Sequence, residues 1–293
     1  MSPRPKALVL GGRTGLLGQA LVRVLRESGW DALPTGRDDV NVLDSGALAS
    51  FIERAEPAVI FNTVAWTQVD LAEEREEEAT RLNRQLPTCL ARMVRGTSMH
   101  LVHFSTDFVF SGRKGAPYTP DDTPDPASVY GATKLAGEQA VLQQCPDNAC
   151  VVRTSWLFGP GRRNFVKVIL DICNDKGEAR VVHDQIGSPT YTLDLAAGSV
   201  KLAELRATGI FHVANAGQAS WCELASEAVN LAGLPCKVHA IPSRDYPQKA
   251  QRPPFSVLDT ARFTQVTGIT PRPWPQALRD YIYKECLPAM HDA

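Results

Sequence analysis

A short apolar run, Ala7-Leu8-Val9-Leu10, opens directly into Gly11-Gly12-Arg13-Thr14-Gly15-Leu16-Leu17-Gly18. Few features limit a chain's architecture as strongly as a glycine turn between a first strand and a first helix. The run has the length of a buried strand. Beyond the turn, Leu17, Leu21, Val24 and Leu25 repeat at helical spacing until Gly29. Gly12, Gly15 and Gly18 permit a tight turn and close backbone approach to a pyrophosphate, with N–H groups of the helix start aimed at it. Their spacing differs from the usual Gly-x-Gly-x-x-Gly, so the strand–turn–helix context carries the dinucleotide-binding reading. The alternative is a turn that merely connects strand to helix.

The same alternation continues. Apolar runs at residues 32–35, 58–61, 101–104 and 150–153 alternate with helical patterns through Leu48, Phe51 and Ile52, at about residues 76–94, and around Tyr130. This predicts an α/β fold, a doubly wound parallel sheet of Rossmann type. After Phe158, prolines and loops become frequent. We expect a dinucleotide-binding domain over residues 1–158, which also receives part of 190–235. Residues 159–293 should form mostly a smaller, partly interleaved substrate lobe, including segments 210–213 and 221–231. A substrate site is expected between the two.

Composition narrows the function. A net charge of −1 argues against binding nucleic acid by bulk electrostatics, and no apolar run is long enough to span a membrane. The 7 cysteines include no Cys-x-x-Cys pair, which suggests reduced thiols in a cytoplasm. No His, Cys, Asp and Glu cluster has metal-ligand spacing. The acidic run from Glu73 to Glu78 reads as the solvated first turns of a helix. His100 and His103 read as structural.

Chemistry concentrates in two segments, Ser105-Thr106-Asp107 at the end of an apolar run and Val129-Tyr130-Gly131-Ala132-Thr133-Lys134. Lys134 lies one helical turn after Tyr130, so the two share a helix face. A positive charge there is expected to lower the phenol's pKa. Tyr130 can then protonate a carbonyl oxygen as hydride reaches the carbon. At the end of the second strand, a basic side chain accepts a 2′-phosphate and an acidic one binds a ribose hydroxyl. Thr35-Gly36-Arg37-Asp38-Asp39 places Arg37 first, which favours NADPH, while Asp38 and Asp39 leave NADH open.

These segments resemble the extended short-chain dehydrogenase/reductases, and within them the dTDP-4-dehydrorhamnose reductase branch. The resemblance runs through nearly the whole chain. It includes Asn62 to Asp70, Ser105 to Gly112, Tyr130 to Glu138, Arg153 to Trp156, Asp184 to Thr190, and Arg252-Pro253. It implies reduction of a dTDP-4-keto-6-deoxy nucleotide sugar by NADPH, with Tyr130 as proton donor and Lys134 on the nicotinamide ribose. It places Thr106 on the carbonyl oxygen, Asp107 at the sugar and Trp156 against the sugar ring. Gly15, Leu16 and Leu17 would meet the pyrophosphate. Ala65, Trp66 and Thr67 would border the adenosine side or the nicotinamide ribose, and Phe104 would line the cofactor cleft. Asp184, Gln185 and Arg252 would border the nucleotide sugar.

Some members join as dimers through magnesium held by glutamates. Ala20 and Leu193 stand at those places, so a homodimer stays open but not through that bridge. Asn41-Val42 stands where an aspartate often lies near the adenine. Two other readings share the resemblance. One is a non-catalytic NADP-binding subunit like the beta subunit of methionine adenosyltransferase. The other is a related nucleotide-sugar reductase or epimerase.

Overall fold

The computed structural model describes residues 4–287. Five strands predicted from the apolar runs are present: β1 (Lys6–Leu10), β2 (Asp31–Pro34), β3 (Val59–Asn62), β4 (His100–Thr106) and β5 (Ala149–Thr154). Short strands β6 (Leu157–Phe158), β7 (Glu178–Val182), β8 (Ile186–Gly187) and β9 (Thr190–Tyr191) follow. After them come β10 (Gly209–His212), β11 (Ala219–Ser220) and β12 (Lys237–Ile241). The main sheet has 6 parallel strands in the order β10-β5-β4-β3-β1-β2. Segment 210–213, read from sequence with the smaller lobe, thus supplies the sheet's edge, pairing Phe211 with Val152. Its few residues carry no signal of which partner they meet.

Period-2 alternation sorts the strand side chains onto two faces. Val9, Phe61, Val102 and Val152 pack with Leu21 and Leu25 of α1 (Leu16–Glu27). Leu8, Ile60, Leu101 and Val151 pack against Leu48 and Ile52 of α2 (Ser45–Ala55) on the other face. Both faces are covered, as a parallel sheet requires. The strand order reverses between β1 and β3, which opens a crevice at their carboxyl ends.

The helix expected at 76–94 is continuous but irregular. The short α3 (Val69–Ala72) precedes it; then α4 (Glu76–Thr80) runs through a π-helical turn, Arg81–Gln85, into α5 (Leu86–Val94). Pro87 explains the irregularity. It has no N–H to give the carbonyl of Asn83 and its ring crowds that carbonyl. The following helix, α6 (Val129–Gln144), is capped by Ser128, whose hydroxyl accepts from the Gly131 N–H at 3.2 Å.

The second lobe is built from α7 (Phe165–Lys176), β7 paired with β12, and α9 (Trp221–Leu231). Between them α8 (Thr192–Glu204) returns to the first lobe, where its Leu195 and Val200 join the core beneath α1. One expectation is corrected here. Cys173 on α7 and Cys236, next to β12, form a disulfide with Cα atoms 5.4 Å apart. A sequence separation of 63 hides the pairing, and the β7–β12 ladder under α7 creates it. Reduced thiols throughout, and the cytoplasmic placement drawn from them, lose that support. No helix among the described residues is long and apolar enough to cross a membrane.

Candidate active site

The glycine turn lies at the mouth of the crevice. Gly11 has φ of 82°, and a Cβ on Gly18 would come within 2.4 Å of the Gly11 carbonyl oxygen. Only glycines fold the turn this tightly onto the helix. Gly15 caps α1 without a side-chain hydrogen bond. The N–H groups of Leu16 and Leu17 therefore begin the helix with no partner within it, a cradle suited to a pyrophosphate. Gly12 packs under Pro34 at the end of β2. Across the crevice Thr63 donates to the Leu10 carbonyl at 2.6 Å, and Ala65, Trp66 and Thr67 follow. Asn83 clamps this segment: its amide oxygen accepts from Trp66 N–H at 2.9 Å and its amide donates to Thr133 on α6 at 3.1 Å.

A residue not weighed from sequence bears on Arg37 against the aspartates. Arg13, from the glycine turn, reaches Asp39 at 2.6 Å, and Gly36 N–H donates to the other carboxylate oxygen at 2.7 Å. Asp39 is thereby committed, and Arg13 and exposed Arg37 flank the end of β2.

At the other end of the crevice α6 sits unusually close to the loop after β4. A Cβ on Gly131 would lie 2.2 Å from the Phe108 carbonyl oxygen, so glycine is what admits the approach. The Tyr130 hydroxyl is thus brought close to the Thr106 side chain. Lys134 is buried on the same helix face and donates to the Phe104 carbonyl at 2.5 Å. Burial pulls the Lys134 ammonium down to about 8. The expected lowering of the phenol is corrected. Burial, with the Asp107 charge adding to it and the Thr106 hydrogen bond opposing, pushes Tyr130 up to about 12. Desolvation of a phenolate outweighs a lysine whose Nζ is turned to a backbone carbonyl. Tyr130 is therefore a neutral hydroxyl at pH near 7, suited to donate to a developing alkoxide.

Asp107 is only 2% exposed. Its carboxylate accepts from Thr106 Oγ1 at 3.0 Å and from Ser256 Oγ at 2.5 Å. Phe108 meets the Tyr130 ring edge-on at 5.5 Å and also lines a cavity of about 310 Å³ beside it. Trp156, Trp221, Phe165, Gln185 and Arg252 line the rest. Asp184 does not; Ser243 N–H and Oγ hold its carboxylate. Arg252 pairs with Asp70 at 2.9 Å, which ties its segment to α3. The acidic run is exposed, as expected of solvated first turns, and two of its carboxylates also find partners. Glu73 accepts from Val129 N–H at the start of α6, and Glu74 pairs with Lys249. His103 meets Asn62 at 3.1 Å inside the sheet, as a structural residue.

Tyr130 and Thr106 thus lie next to Phe108, which lines the aromatic cavity. The model of the RmlD substrate binding domain family matches residues 6–286. The chain belongs to this family. A dTDP-4-dehydrorhamnose reductase of Streptomyces griseus is 39% identical over 95% of this chain and 93% of its own. A dTDP-4-keto-6-deoxy-D-glucose reductase of Streptomyces niveus is 37% identical over 91% of this chain and 93% of its own. The crystal structure of dTDP-4-dehydrorhamnose reductase from Bacillus anthracis, in complex with NADP, superposes with a TM-score of 0.92 at 30% identity, covering 96% of this chain and 100% of that one.

Within this member of the RmlD family, Trp221 is the aromatic residue that sequence reading passed over. Trp156 adopts φ of 50°, unfavourable for a bulky side chain, and its indole stacks on Trp221 at 3.6 Å with 5° between planes. A capping box, Ser220 with Glu223, fixes Trp221 at the first position of α9. Trp221→Ala should free Trp156 to move. With about 0.5–1.5 kcal/mol in such a pair, KM for the nucleotide sugar should rise by roughly twofold to tenfold, with a change in tryptophan fluorescence. Unchanged KM and emission would show that the stack holds nothing in place.

Proposed function

We propose that this protein reduces the C4 ketone of a dTDP-4-keto-6-deoxy sugar with NADPH, converting dTDP-4-dehydrorhamnose to dTDP-L-rhamnose. The observation that carries the reading is the close approach of Tyr130 and Thr106, with Phe108 touching the Tyr130 ring and lining the cavity. The residues present fit a dinucleotide. The Leu16 and Leu17 N–H groups would meet the pyrophosphate, Gly12 and Gly15 let the turn pack tightly enough to form that cradle, and Lys134 and Phe104 would border the nicotinamide end. Ala65, Trp66 and Thr67 form the opposite wall. Bound NADPH supplies hydride to the sugar's C4. Tyr130 gives its proton to O4, and the Thr106 hydroxyl stabilises the charge that develops there. Trp156 packs on the sugar, with Gln185 and Arg252 further out along the cavity.

The relatives' names and the complete Thr106, Tyr130 and Lys134 set support an enzyme over a non-catalytic subunit. We assign cofactor binding to residues 1–158 with the returning part of 190–235, and substrate binding mostly to 159–293. The test is NADPH oxidation with a panel of 4-keto nucleotide sugars, with the product's C4 configuration read by NMR. No turnover with any of them, together with capture of a partner enzyme, would favour the regulatory reading.

Cofactor choice is testable separately. Arg13→Ala and Arg37→Ala should each weaken NADPH binding and leave NADH nearly unaffected. A charge-assisted hydrogen bond contributes about 1.5–3 kcal/mol, so the affinity ratio should shift by roughly tenfold to a hundredfold. Arg13→Ala should do more, because it also releases the Asp39 charge beside the phosphate. Equal losses for both cofactors would mean that the arginines shape the loop only.

A further inference from the structure

The Thr106 hydroxyl has one proton and three claimants. The Asp107 carboxylate takes it at 3.0 Å, the Tyr130 oxygen lies within reach, and a ketone oxygen in the proposed reaction needs it. Phe108 N–H already donates to Thr106 Oγ1 at 3.2 Å. With Asp107 ionised, the proton is spent on the carboxylate and Thr106 turns only lone pairs toward the substrate. The geometry points to Asp107 working as a carboxylic acid, whose own proton is donated to Thr106 and so turns the Thr106 hydroxyl toward the substrate's carbonyl oxygen. Asp107 is thus a positioning residue. Its proton stays in place through the reaction; the bond that breaks is Tyr130 O–H and the bond that forms is O4–H. The inference rests on the proposed reductase reading.

The surroundings favour the neutral acid. Asp107 is almost fully enclosed, and its hydrogen bonds come from Thr106, Ser256 and backbone N–H groups, from no cation. Burial, opposed by those hydrogen bonds, pushes the carboxyl up to about 6. Of the neighbours, Tyr130 and Lys134 come from α6. The segment after Arg252 brings Ser256, which does not titrate, and Arg252 is engaged by Asp70. From β4, His103 is kept neutral by burial. A neutral acid held as a donor in an apolar site is a known device for stabilising developing oxyanions. Hydrogen bonds in such a chain also strengthen one another.

The sign follows. The donor-competent form is protonated, so kcat/KM falls as pH rises through about 6. Between about pH 5.5 and about pH 7.5 the protonated fraction drops by roughly twentyfold. Asp107→Asn carries a permanent amide donor and should reduce that ratio to less than roughly twofold. Ser256→Ala removes a donor that favours the ionised form, so the falling limb should move to higher pH. Folding of each variant is checked by circular dichroism and NADPH affinity. A falling limb retained by Asp107→Asn, or a well-folded Asp107→Asn inactive at every pH, would overturn the inference. Infrared difference spectra give a readout without turnover. A carboxylic C=O band should titrate near pH 6, move to higher pH in Ser256→Ala and vanish in Asp107→Asn. Its absence from wild type overturns the inference. Its presence in a protein that reduces no nucleotide sugar overturns only the reductase reading.

Discussion

Tyr130→Phe is expected to lower kcat for ketone reduction by about 10²–10⁴-fold while NADPH affinity stays near wild type. The ring remains, and with it the edge-on contact to Phe108 at 5.5 Å. Only the hydroxyl is lost. In the proposed reaction Tyr130 is the residue whose proton, held at neutral pH, passes to the developing alkoxide. Burial keeps it neutral. Residual turnover should come from Thr106, which can still stabilise the oxyanion. Thr106→Val, which keeps the shape of the side chain and removes its donor, should therefore cost less than Tyr130→Phe. Single-turnover oxidation of NADPH separates the chemical step from product release. Turnover within twofold or so of wild type would end the assignment.

The second large effect concerns stability. Glu138, one turn beyond Lys134, and Arg153 on β5 form an ion pair at 2.7 Å, each side chain 1% exposed. A second contact runs from Arg153 Nε at 2.9 Å, and the guanidinium lies over Phe110 at 5.0 Å from the ring centre. This pair fastens the helix carrying Tyr130 and Lys134 to the sheet. Glu138→Gln leaves the guanidinium buried without a countercharge, a loss of about 3–5 kcal/mol. For a chain of this size that corresponds to roughly 2–4 °C in melting temperature per kcal/mol. Replacing both partners, Glu138→Leu with Arg153→Met, should recover most of the loss, since both desolvation costs disappear together. Urea unfolding of the single and double variants is the measurement. A single variant as stable as wild type would show that water or neighbouring dipoles already compensate the charge.

The order of strands and helices was legible because each element carries its own periodicity. The first strand, the glycine turn, α1 and the later buried strands are local patterns. Tyr130 and Lys134 were legible for the same reason, since four residues on a helix fix a shared face. Segment 210–213 was not, because an apolar run of four states that it is buried and not beside what. The break at Pro87 could have been anticipated from the proline alone. Its consequence could not: the Asn83 carbonyl it displaces lies where a Cβ on Gly137 would come within 2.0 Å.

What the sequence determined by itself is therefore the chemistry of single segments: a turn for a pyrophosphate, an acid on a helix, a hydroxyl at a strand end. What tertiary structure decided is how those groups are charged and aimed. Asp39 was a rival to Arg37 until Arg13, 26 residues away, took it up. Tyr130 was expected to ionise more readily until its enclosure was known. Asp107, at a strand end, gave no sign that Ser256, 149 residues on, would donate to its second oxygen. The physical reason is common to all three. Propensity and periodicity act over a few residues, whereas desolvation and hydrogen bonding depend on whatever the fold brings within a few ångströms.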